Sequence, residues 1–187
     1  MNQATYLNNQ LIVAMPSLAD PDFFHTVTYL CQHNEEGALG IMINRPAEMR
    51  LGEIFKQMKI RVTSPCAAET LVFAGGPVQQ ERGFVLHTTG EGWDTSMVIS
   101  ESMSLTTSRD VIEAIAVGKG PEQYLIALGY AGWGQGQLEQ EILANAWLNT
   151  PYSKHILFDT PINMRWQAAA GQIGIDINRL TTPAGHG

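Results

Sequence analysis

Short apolar runs separated by turn chemistry dominate the first third of the chain. Leu11-Ile12-Val13-Ala14-Met15 is an apolar run stopped by Pro16, and Thr26-Val27-Thr28-Tyr29-Leu30-Cys31 alternates with β-branched and aromatic members. Asn34-Glu35-Glu36-Gly37 then separates that run from Ala38-Leu39-Gly40-Ile41-Met42-Ile43, which predicts a hairpin. Ala19-Asp20-Pro21-Asp22 suits a turn leading into a buried Phe23-Phe24 pair.

The period then changes. Leu51, Ile54, Phe55 and Met58 recur at the spacing of one helix face. Strands resume with Thr70-Leu71-Val72-Phe73, Gly83-Phe84-Val85-Leu86 and Ser96-Met97-Val98-Ile99. Ser108 is placed to cap a second helix, with Asp110 in its first turn and Val111, Ile112 and Ile115 inward. The strand Tyr124-Leu125-Ile126-Ala127-Leu128 leads through glycines to a third helix burying Leu138, Ile142, Ala146 and Trp147. A final strand, Ile156-Leu157-Phe158, precedes Thr160 as N-cap and Pro161 at the first position of a fourth helix lined by Ile162, Trp166, Ala169 and Ile173. Strands in runs with helices at intervals predict an α+β fold with a mixed, mainly antiparallel sheet. Nothing divides the chain, so residues 1–187 are expected to form one domain, with the tail 181–187 fraying.

Charge narrows the function. Eleven Lys and Arg against 18 Asp and Glu leave a net −7, which disfavours phosphate-driven nucleic-acid binding. The densest basic run, Lys56, Lys59 and Arg61, lies at a predicted helix end, where cations meet the helix dipole favourably. The first residues lack the pattern of a signal peptide and no apolar run is long enough to span a bilayer. Cys31 and Cys66 form no CxxC motif, so the expected setting is the cytoplasm with no membrane association.

Candidate chemistry is sparse. Gly129-Tyr130-Ala131-Gly132-Trp133-Gly134-Gln135-Gly136 could turn peptide N–H groups toward an anion, but matches no nucleotide-binding spacing and is followed by Glu139 and Glu141. A tight turn holding a buried Trp133 is the plainer reading. Gly75-Gly76-Pro77-Val78 forms a bend before Arg82, an anion holder in the functional reading and a surface residue in the plain one. Asn44-Arg45-Pro46 ends a strand, with Asn44 suited to capping backbone groups and Arg45 to gripping a carboxylate or phosphate. Asn44, Arg45, Gly75, Gly76, Arg82, Gly132 and Trp133 are therefore the candidate ligand-binding residues. Cys31, His33 and His25 do not make a metal motif, Cys31 reads as a buried small hydrophobe, and His87, His155 and His186 stand alone. No nucleophile motif is present, so neither catalytic residues, a metal nor a cofactor is assigned.

In order along nearly the whole chain, the segments Leu11 through Pro16, Gly40-Ile41-Met42-Ile43-Asn44-Arg45-Pro46, Gly75-Gly76-Pro77-Val78, Arg82-Gly83-Phe84-Val85-Leu86-His87, Thr107-Ser108-Arg109-Asp110, Leu128-Gly129-Tyr130-Ala131-Gly132-Trp133 and Phe158-Asp159-Thr160-Pro161 resemble the YqgE/AlgH family of bacterial proteins. The resemblance implies a split, strongly bent sheet forming a pseudo-barrel packed by helices. It carries over no catalytic residues. One branch bears the name of a regulator of alginate production, which labels a phenotype and not a mechanism. The expected function is a non-catalytic binding or regulatory module for a small anionic ligand or a protein partner. Two alternatives stand beside it: an enzyme using His87 with a carboxylate, and a nucleic-acid-associated regulator.

Overall fold

The computed structural model describes residues 5–90 and 92–180, so the expected fraying of 181–187, and His186, lie outside the described residues. The first hairpin forms as its turn chemistry predicts, with β2 (Val27–Asn34) and β3 (Gly37–Met42) antiparallel and β1 (Gln10–Ala14) on the other side of β2. Side chains two apart share a face, so this sheet feeds two cores. Leu11, Val13, Val27, Tyr29, Cys31 and Ile41 pack into one, whereas Ile12, Ala14 and Leu30 pack into another.

The next segment holds α1 (Leu51–Met58), which buries Leu51 and Phe55 as its spacing predicts. The Arg50 N–H donates to the Glu53 carboxylate at 3.0 Å, and the helix ends where Lys59 turns left-handed. Three elements here escaped the sequence reading: β4 (Pro46–Arg50), which pairs with β5 (Leu71–Ala74), the single turn α2 (Pro65–Ala68), and the strand Met103–Thr106. β6 (Val78–Thr88), β7 (Ser96–Val98) and β8 (Met103–Thr106) pair antiparallel in the order β6-β8-β7. α3 (Arg109–Ala116) starts at Ser108, but the Ser108 hydroxyl donates to the Asp110 carboxylate and caps no helix N–H.

β9 (Tyr124–Trp133) organises the rest, and it corrects the turn expected at its glycines. The strand runs on through Gly129 to Trp133, pairing antiparallel with β6 and β3 and parallel with β5. At Gly129, φ is +77°, a conformation that favours glycine, and the alternation changes phase there. Leu125 and Ala127 face the main core, with Ile126 and Leu128 opposite; past Gly129, Tyr130 faces the main core and Ala131 and Trp133 turn to the third cluster. One strand thus joins two sheets into a single curled surface.

Three helical groups cover it. α1, α2 and α3 pack on the outer face of β5, β6 and β9. α4 (Gln137–Leu143) supplies Leu138 to the cluster behind β1–β3, beside Trp133 and Trp147. α5 (Lys154–Phe158), α6 (Arg165–Gly171) and α7 (Ile177–Leu180) fill the concave side with Ile156, Leu157, Trp166, Ala169 and Ile177. No helix among the described residues is long and apolar enough to cross a membrane.

In the last fifty residues the sequence reading holds for Leu138, Trp166 and Ala169, which are buried on helices, and fails at other positions. Trp147 does not extend α4; it opens β10 (Trp147–Pro151), which pairs with β1. Ile156-Leu157-Phe158 is helical in α5, because Ser153 caps it by accepting the Ile156 N–H, and three apolar residues alone cannot distinguish the two periods. Thr160 caps nothing; its hydroxyl donates to the His155 carbonyl, and a 3-10 turn (Ile162–Met164) precedes α6. Ile173 lies beyond α6 and is exposed, not inward.

Two glycines of similar appearance separate steric need from tolerance. A Cβ on Gly76 would stand 2.0 Å from the Tyr130 carbonyl carbon, whereas one on Gly83 meets nothing within 4 Å. Gly76→Ala should cost at least about 3 kcal/mol in urea unfolding or prevent folding, and Gly83→Ala should stay within about 0.5 kcal/mol.

Candidate functional site

Several polar residues that drew notice in the sequence are held inside the fold. Asn44 accepts the Val27 N–H and donates to the His25 carbonyl, each at 2.9 Å, so it fastens the 25–27 segment to the end of β3, the capping role expected of it. Arg45 donates to the Asp22 carbonyl and, at 3.0 Å, to the Phe24 carbonyl, tying down the preceding loop. It borders a small pocket of about 280 Å³ shared with Asp22, Gly76, Pro77, Gln80 and Leu128. Gly75 and Gly76 serve close packing: a Cβ on Gly75 would lie 2.4 Å from the Gly129 carbonyl oxygen.

Trp133 is buried at 5% exposure, as the plainer reading held. Its ring stacks on Phe23 and meets Trp147 edge-on, and both indole N–H groups donate to Glu141. Gly132 is exposed opposite Leu39 in the β3–β9 ladder. This pair borders a shallow hollow with Tyr130, apart from the Arg45 pocket.

His87 does not meet a carboxylate. Its Nδ1 donates to the Thr88 carbonyl at 2.8 Å, which leaves Nε2 to accept the Thr106 hydroxyl at 2.7 Å; Ser96 in turn bonds Thr106. Burial pushes the His87 pKa below its ordinary value, against a smaller upward pull from the Thr88 carbonyl. Both ring nitrogens are occupied by structural partners, so the acid–base pairing required of a His87 enzyme is not formed. Cys31 is buried, and burial holds its thiol well above the usual range. Among the described residues no cluster of three or more His, Cys, Asp or Glu is arranged for a metal.

Two polar anchors gave no signal in the sequence. His33 is buried, accepts the Leu7 N–H at Nδ1 (3.0 Å) and bonds Glu139 through Nε2, joining the N-terminal segment, β2 and α4. Arg165 is only 6% exposed and donates to the carbonyls of Thr160 (2.9 Å) and Ile43 (2.6 Å), above the Phe73 ring. Only tertiary contact reveals either role, because a single His or Arg carries no spacing.

What remains is the outer face between α1 and α3. Here a groove of about 600 Å³ has β6 and β9 as its floor, with Val85 and Ile126 buried beneath it. Met49 from β4, Ile54 and Met58 from α1, Ile112 from α3 and Leu128 from β9 converge on it, each half-buried. Arg82 lines this groove on the β6 segment between Val78 and Gly83, where pairing with β9 is interrupted. Its guanidinium lies 5.3 Å from the Phe84 ring centroid, with one Nη donating to Gln79. From the opposite wall Arg109 reaches across to the Met58 carbonyl at 2.8 Å while its Nε meets Glu113. Of the seven candidates, Arg82 borders this groove, Arg45 and Gly76 border its smaller neighbour, and the two share Gln80 and Leu128.

A curled, half-barrel sheet, mainly antiparallel and backed by helices on both faces, defines the class: an α+β protein of the bent, split-sheet kind. The chain belongs to the AlgH-like family (DUF179), whose model it matches over residues 11–178. It is 53% identical over 180 residues to a UPF0301 protein of Alcanivorax borkumensis, with 96% of each chain covered. It is 52% identical to one of Methylococcus capsulatus, covering 100% of this chain and 99% of that one. The solution structure of AlgH from Pseudomonas aeruginosa superposes with a TM-score of 0.81 at 46% identity, over 100% of both chains. A crystal structure of a Corynebacterium diphtheriae protein shares the fold at 19% identity, with a TM-score of 0.76 over 98% of this chain and 95% of that one.

Two measurements separate these roles. Arg45→Ala removes two bonds to loop carbonyls and should lower stability by about 1–2 kcal/mol in denaturant unfolding. His87 is held neutral by a lowered folded-state pKa, so the unfolded chain takes up its proton first as pH falls through the ordinary histidine range. Stability contributed by neutral His87 is therefore full above about pH 6.5 and declines below it. His87→Gln should flatten that decline in unfolding curves measured between about pH 5 and pH 7.

Proposed function

We propose that this protein is a binding module whose site is the groove between α1 and α3, and that it takes a small amphipathic anion. The observation that carries the reading is the joining of a half-buried apolar wall to an arginine-bearing rim. Five half-buried aliphatic and thioether side chains from four elements leave apolar surface that the fold itself does not cover. Arg82 has no carboxylate partner among the described residues, which leaves its charge available to a ligand.

Charge balance supports the choice of groove. Arg82 and Arg109 stand against Glu81 in its lining. In the neighbouring pocket Asp22 offsets Arg45, and the shelf beside α1 sets Glu48, Glu53 and Glu69 against Arg50 and Lys56. The hollow at Trp133 carries Glu36 without a Lys or Arg. An anion is therefore best placed beside Arg82, with Arg109, shared with Glu113, as a weaker second charge. A cytoplasmic setting accords with the two unpaired cysteines.

A probe with an apolar body and one fixed negative charge tests the reading. Anilinonaphthalene sulfonate should bind the native protein at one saturable site with enhanced fluorescence. Arg82→Ala should weaken that binding about tenfold while the thermal midpoint stays near wild type. The neutral analogue N-phenylnaphthylamine should bind both proteins alike. Equal sulfonate binding by wild type and Arg82→Ala would remove the anionic part of the proposal.

A further inference from the structure

We infer that the natural occupant is a flexible aliphatic chain ending in a single anionic head; this rests on the groove being the binding site. The lining decides between the common classes of small anion. A nucleotide or a flat aromatic acid needs a ring face on which to stack. The groove provides none: its half-buried wall is Met49, Ile54, Met58, Ile112 and Leu128. Phe84 is the aromatic residue in the lining, but it is only 3% exposed, packs into the core on the concave side, and has Arg82 over its ring. Trp93 borders a different cavity, beside His87 and Lys119.

Shape and chemistry point the same way. Two methionines with unbranched, polarizable side chains can follow an occupant without a fixed outline. Val85 and Ile126 supply an apolar floor, and the polar members of the lining are Gln57, Gln80, Glu81, Arg82, Thr106, Thr107, Ser108 and Arg109. Thr106 is already engaged, by His87 and Ser96, and Ser108 is held by Asp110 and the Thr95 N–H. Thr106 is the buried polar side chain of the lining, and its bonds are already made, while Gln57, Gln80 and Glu81 are exposed; the buried part of the groove therefore offers a sugar or a peptide amide little to bond, whereas a methylene chain asks only for apolar contact. One head suffices because Arg109 is shared with Glu113 and Met58, while Arg82 donates only to an amide oxygen. The volume, about 600 Å³, lies within the range of sites that enclose a small organic molecule.

Displacement of bound anilinonaphthalene sulfonate from the full chain reads the class directly. Octanoate, decanoate and dodecanoate, kept below micelle-forming concentrations, should displace the dye with affinity rising about three- to fourfold per added methylene until the groove is filled. Dodecyl phosphate should compete if phosphate is the natural head, and dodecanoate should compete better if it is a carboxylate. Adenosine monophosphate and naphthoate should displace it poorly. Ile112→Trp and Met58→Trp, each placing a ring in the groove from a different helix, should abolish dodecanoate binding read directly by calorimetry, with the thermal midpoint retained. Dye that binds in an Arg82-dependent way but yields to adenosine monophosphate and not to dodecanoate overturns the aliphatic assignment and leaves the binding site standing. No dye binding to the native protein overturns the site as well. Chain-length-independent displacement, or dodecanoate binding unchanged in both Trp variants, also overturns the inference.

Discussion

Two stretches of backbone cross at a separation that excludes any side chain, and the architecture depends on that crossing. Gly75 and Gly76 lie against Gly129 and Tyr130 so closely that an added methyl would overlap a carbonyl on either side. The contact lets β9 change the phase of its alternation in mid-strand. Because the phase changes, one strand can present Ile126 and Leu128 to the helices behind one sheet, then Ala131 and Trp133 to the helix behind the other. The groove exists because Leu128 and Ile126 face outward just before that change. Gly75, Gly76 and Gly129, which look in the sequence like a cradle for a ligand, are steric clearances for the fold.

Legibility followed the strength of local signals. The β2–β3 hairpin and α1 were readable because each combines a run of the right period with its own turn or cap. β4 was not: Pro46-Ala47-Glu48-Met49-Arg50 is mostly polar or small, and it is a strand because it pairs with β5. The exchange of helix and strand after Leu143 has a different cause. Trp147 fits a helical stripe after Leu138 and Ile142, yet its fate is settled by β1, whose free side needs a partner. Short apolar triplets such as Ile156-Leu157-Phe158 yield to whichever neighbour supplies a cap.

The candidate site was half legible for a related reason. Arg82 could be picked out as a charge beside a bend. Its apolar wall could not, since Met49, Ile54, Met58, Ile112 and Leu128 come from four elements and meet only once the sheet has curled. Other polar residues proved to be internal fastenings. Asn44 and Arg45 hold loops, His87 and Thr106 satisfy one another under α3, and Arg165 and His33 clamp distant segments. Burying a polar group is tolerable only with partners, so these residues spend their bonding capacity on the fold. Arg82, which donates only to Gln79, stands outside that economy.

The pairing of β1 with β10 joins Gln10 to Pro151, so during synthesis β1 waits for a partner about 140 residues further along the chain. At ordinary elongation rates that interval is on the order of ten seconds. During it the hydrogen-bonding edge of an apolar strand, Leu11-Ile12-Val13-Ala14, has no native partner to saturate it. A nascent chain of this design therefore presents a sticky edge to its cellular surroundings until β10 has emerged, and that strand is the one that withdraws it.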